Sequence, residues 1–416
     1  MNIALLHYSV APVVGGVEAV IQAHTRLLLE AGNQVTLIAG AGEQAALPDG
    51  ADFVRIPLMD TRDKAVEEMS QQLEAGKVPE NFQALSARLE ASLEQALEGQ
   101  DTVIVHNIFT KHFNLPLTAA FVKLLERGKI SHCIAWCHDF SWTSPHSRQS
   151  VHPGYPWDLL RTYWPGIRYV TVSEQRRMEL AGLFSCPPSQ ISVVYNGVDP
   201  AGLYGFSPEG LALVNRLGML DADLVLLMPV RITQAKNIEL AFQVVASLKN
   251  RSIRSKLVVT GPPDPHDLGD MAYYQNLLDK RQRVGVESEA RFVYESGPQV
   301  GDAYVIGLSM VNELYRASDV LFMPSHREGF GMPILEAGLI GMPIFTTEIP
   351  AAQEIGKGEV IYFSAKDLPD RVAGLILEWF EHSPSQRLRQ RVRQQFTWPA
   401  IFRQALEPLL AGGEPA

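Results

Sequence analysis

At 416 residues the chain exceeds what one ordinary hydrophobic core organises, so two domains are expected. Its 46% hydrophobic and 20% charged residues describe a globular protein with large buried sheets. The formal charge of −10 argues against a nucleic-acid partner and against an anionic membrane held by charge. Three cysteines, Cys133, Cys137 and Cys186, are too few for a disulfide framework and point to a reducing compartment.

In chain order, residues 2–7 form a short apolar run, followed by Gly15-Gly16 and a helical pattern through Ala31. The opening lacks a basic stretch and no apolar run reaches membrane-spanning length, so neither a leader peptide nor an integral anchor is expected, and the expected location is cytoplasmic. "NQVTLIAG" and "DFVRIPL" read as a second and a third strand. Residues 60–101 read as a helical, acidic pair of segments with ten acids and four bases, a balance unsuited to anionic lipid. "DTVIVHN", "HCIAWCH" and "RYVTVSE" continue the strands, and "ISVVYNGVDP" closes the half. The rhythm restarts at Leu224 with "LVLLMPV", "SKLVVTG", "ARFVYES", "DVLFMPS" and "MPIFTT", separated by helical patterns at 238–249, 270–284, 311–318 and 333–340. Strand alternating with helix predicts parallel sheets wrapped by helices. The expected fold is therefore α/β, with two Rossmann-like doubly wound domains facing across a cleft. The first domain takes residues 1–198 plus about 395–416, the second 205–394, with a hinge near 198–205. The amphipathic tail "FTWPAIFRQALEPLL" is expected to pack back onto the first domain.

Ligands of open parallel sheets bind beyond the carboxyl ends of the strands, so the loops there carry the candidate chemistry. In "VRITQAKNIELAF", Arg231 and Lys236 flank a loop where Asn237 is placed to cap the next helix. Two cations beside a helix N-terminus suit a diphosphate; solvated surface charges are the alternative. In "HREGFGMPILEAG", Gly329 and Gly331 expose backbone amides between Glu328 and Glu336, and a helix starting at Pro333 places Glu336 in its first turn. The pair suits a polyol, or else marks an acidic helix start. Gly15-Gly16 has the position of a phosphate loop but not the dinucleotide fingerprint, and no nucleoside-triphosphate loop occurs. His138 and Asp139 follow a strand, where His138 is either a free proton donor and acceptor or bonded to a nearby carbonyl. Cys133 and Cys137 face away from His132 and His138 along one strand, which disfavours a zinc site.

Taken together, these loops resemble the retaining glycosyltransferases of family four. "REGFGMPILEAGLIGMP" is similar to their E-x7-E signature, and "GGVE", "VSE", "YNGVD", the Arg-x4-Lys pair, "VVTG", "ASDVLFMPS" and "FTW" extend the likeness over nearly the whole chain. Pro229-Val230 departs from the glycine that family often has before the arginine. The resemblance implies the GT-B fold and a nucleotide-diphosphate sugar donor, linked to UDP or GDP. Arg231 and Lys236 would bind its diphosphate. Glu328 and the amides of Gly329, Phe330 and Gly331 would hold the sugar, and Glu336 the ribose. Gly15, Gly16, Gly261, Met332 and Leu335 would complete the donor site, and His138 would approach the reacting carbon. Catalysis would rest on His138, Arg231, Lys236 and Glu328, without a metal or other cofactor. The acceptor would be a small molecule or a glycan, the acidic first-domain helices favouring a small soluble one over a lipid, and the oligomeric state stays open. A nucleotide-sugar-binding protein without transfer, and an epimerase or phosphorylase on the same architecture, are the rival readings.

Overall fold

The computed structural model describes residues 1–263, 268–299 and 301–413; residues 414–416 of the expected first-domain tail lie outside that range. Two compact units divide the chain, Met1–Val198 with Trp398–Ala416, and Asp199–Thr397.

The first unit is built on seven parallel strands: β1 Asn2–Ser9, β2 Gln34–Ala41, β3 Asp52–Arg55, β4 Thr102–His106, β5 Cys133–Cys137, β6 Ile167–Thr171 and β7 Ile191–Val193. Their order across the sheet is β3-β2-β1-β4-β5-β6-β7. β4 and β5 are buried at every position, as expected of central strands covered by helices on both faces. Alternation then sorts the side chains. Cys133, Ala135 and Cys137 enter one core layer, whereas Ile134 and Trp136 enter the other. Burial drives the Cys133 thiol up to about 12 and that of Cys137 upward as well, as befits inert core groups.

The second unit holds six parallel strands: β8 Leu224–Met228, β9 Ser255–Val259, β10 Ala290–Phe292, β11 Val320–Met323, β12 Ile344–Thr347 and β13 Ile361–Phe363. Their order is β10-β9-β8-β11-β12-β13. β13 is one strand beyond the five expected here; it is three residues long and half-exposed, too short for a periodic signal. Helices Pro369–His382 and Pro384–Gln395 were likewise not anticipated. The second is anchored by Arg393, buried against Asp319 at 2.8 Å. In both sheets the strand order reverses beside the first strand of the unit, leaving the crevice of a doubly wound sheet between β1 and β4 and between β8 and β11.

The C-terminal segment packs into the first unit. Ile401, Ala405, Leu406 and Leu409 share a core layer with Ile3, Leu28 and Val35. Arg168 Nη1 donates to Leu409 O at 2.7 Å. The segment 200–204, placed in the expected hinge, is a short helix, Pro200–Tyr204, capped by Asp199. Immediately before it, Gly197 permits a close backbone approach, because a Cβ there would lie 2.7 Å from the Trp398 ring and 2.8 Å from its backbone nitrogen. Gly197→Ala is therefore expected to lift the C-terminal segment off its seat, at about 1–3 kcal/mol of overpacking. Faster proteolysis within 398–413, together with a lowered melting temperature, is the expected readout. Wild-type values for both would show that the contact yields freely.

Candidate functional site

In the second unit, the pairing of β8 with β11 makes the loops after them neighbours. A backbone bond from His326 N to Ala235 O, 2.8 Å, then clips the loops together. Lys236 ends a short 3-10 turn, Gln234–Lys236, and its Nζ reaches both carboxylate oxygens of Glu328 at 2.8 and 2.7 Å. The pair is largely withdrawn from water, with side-chain exposures of 18% and 8%. Ser325 Oγ donates to Glu328 Oε1 at 2.6 Å, and Thr347 Oγ1, from β12, donates to Ser325 O. Glu328 is thus held from two sides, and neither Ser325 nor Thr347 was singled out from the sequence. Both lie under the β-strand ends, where a hydroxyl beside an apolar run gives no signal of its own.

The same geometry corrects two expectations. Asn237 occupies the position before helix Ile238–Asn250 but is left-handed, with φ of 50°, and its side chain makes no cap. The next helix begins at Met332, so Glu336 stands beyond the first turn, which contains no acid. Gly331 precedes it with φ of 94°, a conformation that a side chain would strain. Pro333 occupies one of the first two helical positions, removing one N–H from those the helix start presents. Gly329 faces open space, and Phe330, Met332, Leu335 and Glu336 are exposed. Glu336 accepts a 2.6 Å bond from the Tyr315 hydroxyl.

Arg231 is exposed in the loop after β8. Its backbone is set by Gly261, after β9: a Cβ on Gly261 would meet Val230 O at 2.4 Å and Arg231 Cα at 2.8 Å. Gly261 N donates to Val230 O at 3.0 Å. This close approach accounts for the glycine whether or not a ligand is bound. The structure brings Lys236 and Glu328 into contact, with Ser325 behind them, and places Glu336 on the helix that follows.

In the first unit, Gly15 and Gly16 open helix Gly16–Glu30 as expected. Over Gly15 lies the carboxylate of Glu18, the last residue of the "GGVE" run. Glu18 accepts from Ser9 Oγ at 2.6 Å, and its Oε2 would stand 2.1 Å from a Cβ on Gly15, so Gly15 is the residue that makes room for it. The carboxylate is itself an anion in the first turn, where the helix dipole favours one. Gly16 faces open space.

His138 follows β5 and matches neither sequence alternative, since its Nε2 lies 3.0 Å from Nδ1 of another histidine, His106. His106 in turn stacks on Trp136, and His24 packs edge-on to the same indole. His7 Nδ1 lies 3.0 Å from His106 O. Four histidines thus gather in the interior beside the β1–β4 crevice. Burial holds His24 and His138 down to about 3, with the neighbouring histidines adding to the effect at His138, and it lowers His7 and His106 too. His138 is therefore a neutral hydrogen-bonding group near neutral pH. Asp139 beside it is exposed and pairs with Arg176 at 2.9 Å. Among the described residues, no group of three or more His, Cys, Asp or Glu side chains is arranged to hold a metal ion.

These histidines make a prediction about acid. Unfolded histidine titrates near 6.5, whereas His24 and His138 do so at about 3 when folded. Their contribution is intact above pH 6.5 and is lost as pH falls toward 3, at about 1.4 kcal/mol per pH unit for each group. The urea midpoint of the intact chain should drop clearly from pH 7.5 to pH 5, and His24→Leu should flatten that dependence. An unchanged midpoint across the range would show that the histidines are not held neutral.

Residues 14–201 match the model of Glycosyltransferase Family 4, and residues 215–395 that of Glycosyl transferases group 1. An uncharacterized glycosyltransferase of Methanocaldococcus jannaschii is 26% identical over 262 residues, 60% of this chain and 61% of its own length. A D-inositol 3-phosphate glycosyltransferase of Saccharomonospora viridis is 28% identical over 239 residues, 56% of this chain and 52% of its own. The matches thus span little more than half of each relative. A solved structure of Anabaena Alr3699/HepE in complex with UDP is similar over 99% of this chain and 100% of that one, at 17% identity and a TM-score of 0.35. The first parallel-sheet unit thus carries the match to Glycosyltransferase Family 4, and the second the match to Glycosyl transferases group 1.

Proposed function

We propose that the chain transfers a hexose from a UDP- or GDP-linked donor to the hydroxyl of a small soluble acceptor, with retention of anomeric configuration and without a metal. The observation that carries this reading is the placement of Lys236 and Glu328 in bidentate contact at the carboxyl ends of β8 and β11, the ligand side of a doubly wound sheet. A cation next to a carboxylate divides naturally between the two parts of a sugar nucleotide. The ammonium takes charge on the diphosphate, and the carboxylate accepts from sugar hydroxyls. Arg231, exposed in the same loop, is the second proposed phosphate ligand. Glu336 accepts from the ribose, and the exposed Phe330, Met332 and Leu335 flank the bound nucleotide sugar.

In the proposed reaction the bond from the anomeric carbon to the diphosphate breaks while the acceptor oxygen enters on the same face. The acceptor proton passes to a leaving phosphate oxygen, so the chain needs no base of its own. Negative charge grows on the diphosphate, and Lys236, Arg231 and the start of helix Met332–Leu339 stabilise it. His138, held neutral by burial, is not called on for proton transfer in this scheme. The relatives named D-inositol 3-phosphate glycosyltransferases support the choice of a small polar acceptor.

The test begins with thermal-shift screening of UDP, GDP and their hexose conjugates in the presence of a chelator, followed by anomer-resolved product analysis. Stabilisation by one nucleotide family and a retained anomer are expected; no shift with any of them would remove the donor reading. Lys236→Ala should lower kcat/KM by about two to three decades. Because that change also strips Glu328 of its counter-ion, the double variant with Glu328→Gln should lose much less than the two single losses multiplied. Initial rates should be unchanged by the chelator, and a loss restored by Mg²⁺ would refute the metal-independent mechanism.

A further inference from the structure

Tyr315 lies near the end of helix Leu308–Ala317, with its ring sealed in the core layer that also contains Leu314, Leu321, Ile334 and Ala337. Ile334 and Ala337 belong to helix Met332–Leu339 and point inward, whereas Glu336, next to Ala337, is exposed. The ring is 4% exposed, and its hydroxyl emerges from that layer to donate to Glu336 Oε2 at 2.6 Å. The final torsion of a glutamate is broad and nearly two-fold, so an exposed carboxylate normally samples many orientations of its plane. A short bond from a ring that cannot move selects one of them. It also occupies one oxygen, leaving Oε1 and the remaining lone pairs turned toward whatever approaches from solvent. Burial first, and the neighbouring carboxylate second, keep the phenol from ionising, so it remains a donor throughout the working pH range.

Resting on the donor reading given above, we propose that Tyr315 is a positioning residue that sets the Glu336 carboxylate for a vicinal diol and thereby makes the site select ribonucleoside over 2′-deoxyribonucleoside diphosphates. A freely turning carboxylate gains little from two adjacent hydroxyls, because it loses orientational freedom on binding them. A carboxylate fixed in advance gains both bonds, and an analogue lacking one hydroxyl leaves a polar atom unpaired.

The probes are UDP, GDP and their 2′-deoxy forms, titrated calorimetrically into the intact chain. Wild type should prefer the ribo form of its nucleotide about tenfold, the scale of one hydrogen bond to a charged group. Tyr315→Phe should erase most of that gap, raise donor KM several-fold and leave kcat within about twofold. A melting temperature close to wild type is expected, because the ring is retained. Glu336→Asp, which draws the carboxylate back from the phenol without touching the core, should erase the gap as well. The inference is overturned if Tyr315→Phe keeps the wild-type preference while Glu336→Ala loses it. If Glu336→Ala itself keeps the preference, the ribose assignment fails, and the tyrosine inference with it.

Discussion

The ion pair between Lys236 and Glu328 constrains everything around it. Two charges largely removed from water survive only if each is compensated, and the desolvation they suffer is recovered only with good geometry and further hydrogen bonds. The geometry here is bidentate, with Ser325 as an additional donor. For the two side chains to meet, the loops after β8 and β11 must be neighbours. That in turn requires the strand order to reverse between those strands, which a doubly wound sheet does once. The pair is thus a consequence of topology before it is a feature of chemistry. It also explains the clip from His326 to Ala235, which keeps both backbones in place while the side chains share charge.

A pair of this kind prepares a site as much as it stabilises a fold. Paired with a carboxylate, the ammonium is localised at the carboxyl ends of β8 and β11. A diphosphate can draw on the ammonium without removing it from Glu328, since Lys carries three donors and the carboxylate several acceptor sites. The glycines follow the same logic. Gly261 and Gly331 are set by backbone geometry, one by a close approach and the other by a positive φ, whereas Gly329 meets neither condition. Gly329 faces open space, as Gly16 does in the first unit.

Much of this was legible in the sequence because strands and the glycine-bounded loops between them announce themselves locally. Apolar runs such as "LVLLM" and "DVLFM" locate β8 and β11, and Lys236 and Glu328 stand out in the helix-leading and glycine-rich loops that follow those runs. What stayed hidden depends on residues distant in sequence or too short in pattern. Tyr315 and Thr347 reach the site from other elements, and nothing in their own neighbourhood marks them. Glu18 closes the "GGVE" run, but nothing local shows that its carboxylate turns back onto Ser9 and Gly15. Strand β13 is three residues long, and helix Pro384–Gln395 has so little apolar content that its role as a seat for Asp319 becomes visible only through Arg393. The histidine cluster is the clearest case: His7, His24, His106 and His138 come from four separate segments, and each alone looks like an isolated candidate.

The same strand order therefore yields two crevices with opposite electrostatic character. Between β8 and β11 the Lys236–Glu328 salt bridge lies in a partly dry setting. Beside β1 and β4 the polar groups are histidines held uncharged by burial, alongside a first-turn glutamate already satisfied by a helix start and Ser9. Neutral imidazoles recognise hydroxyls by direction without attracting ions from solution. Burial thus holds the four histidines of the first unit uncharged, whereas the second unit carries the Lys236–Glu328 salt bridge.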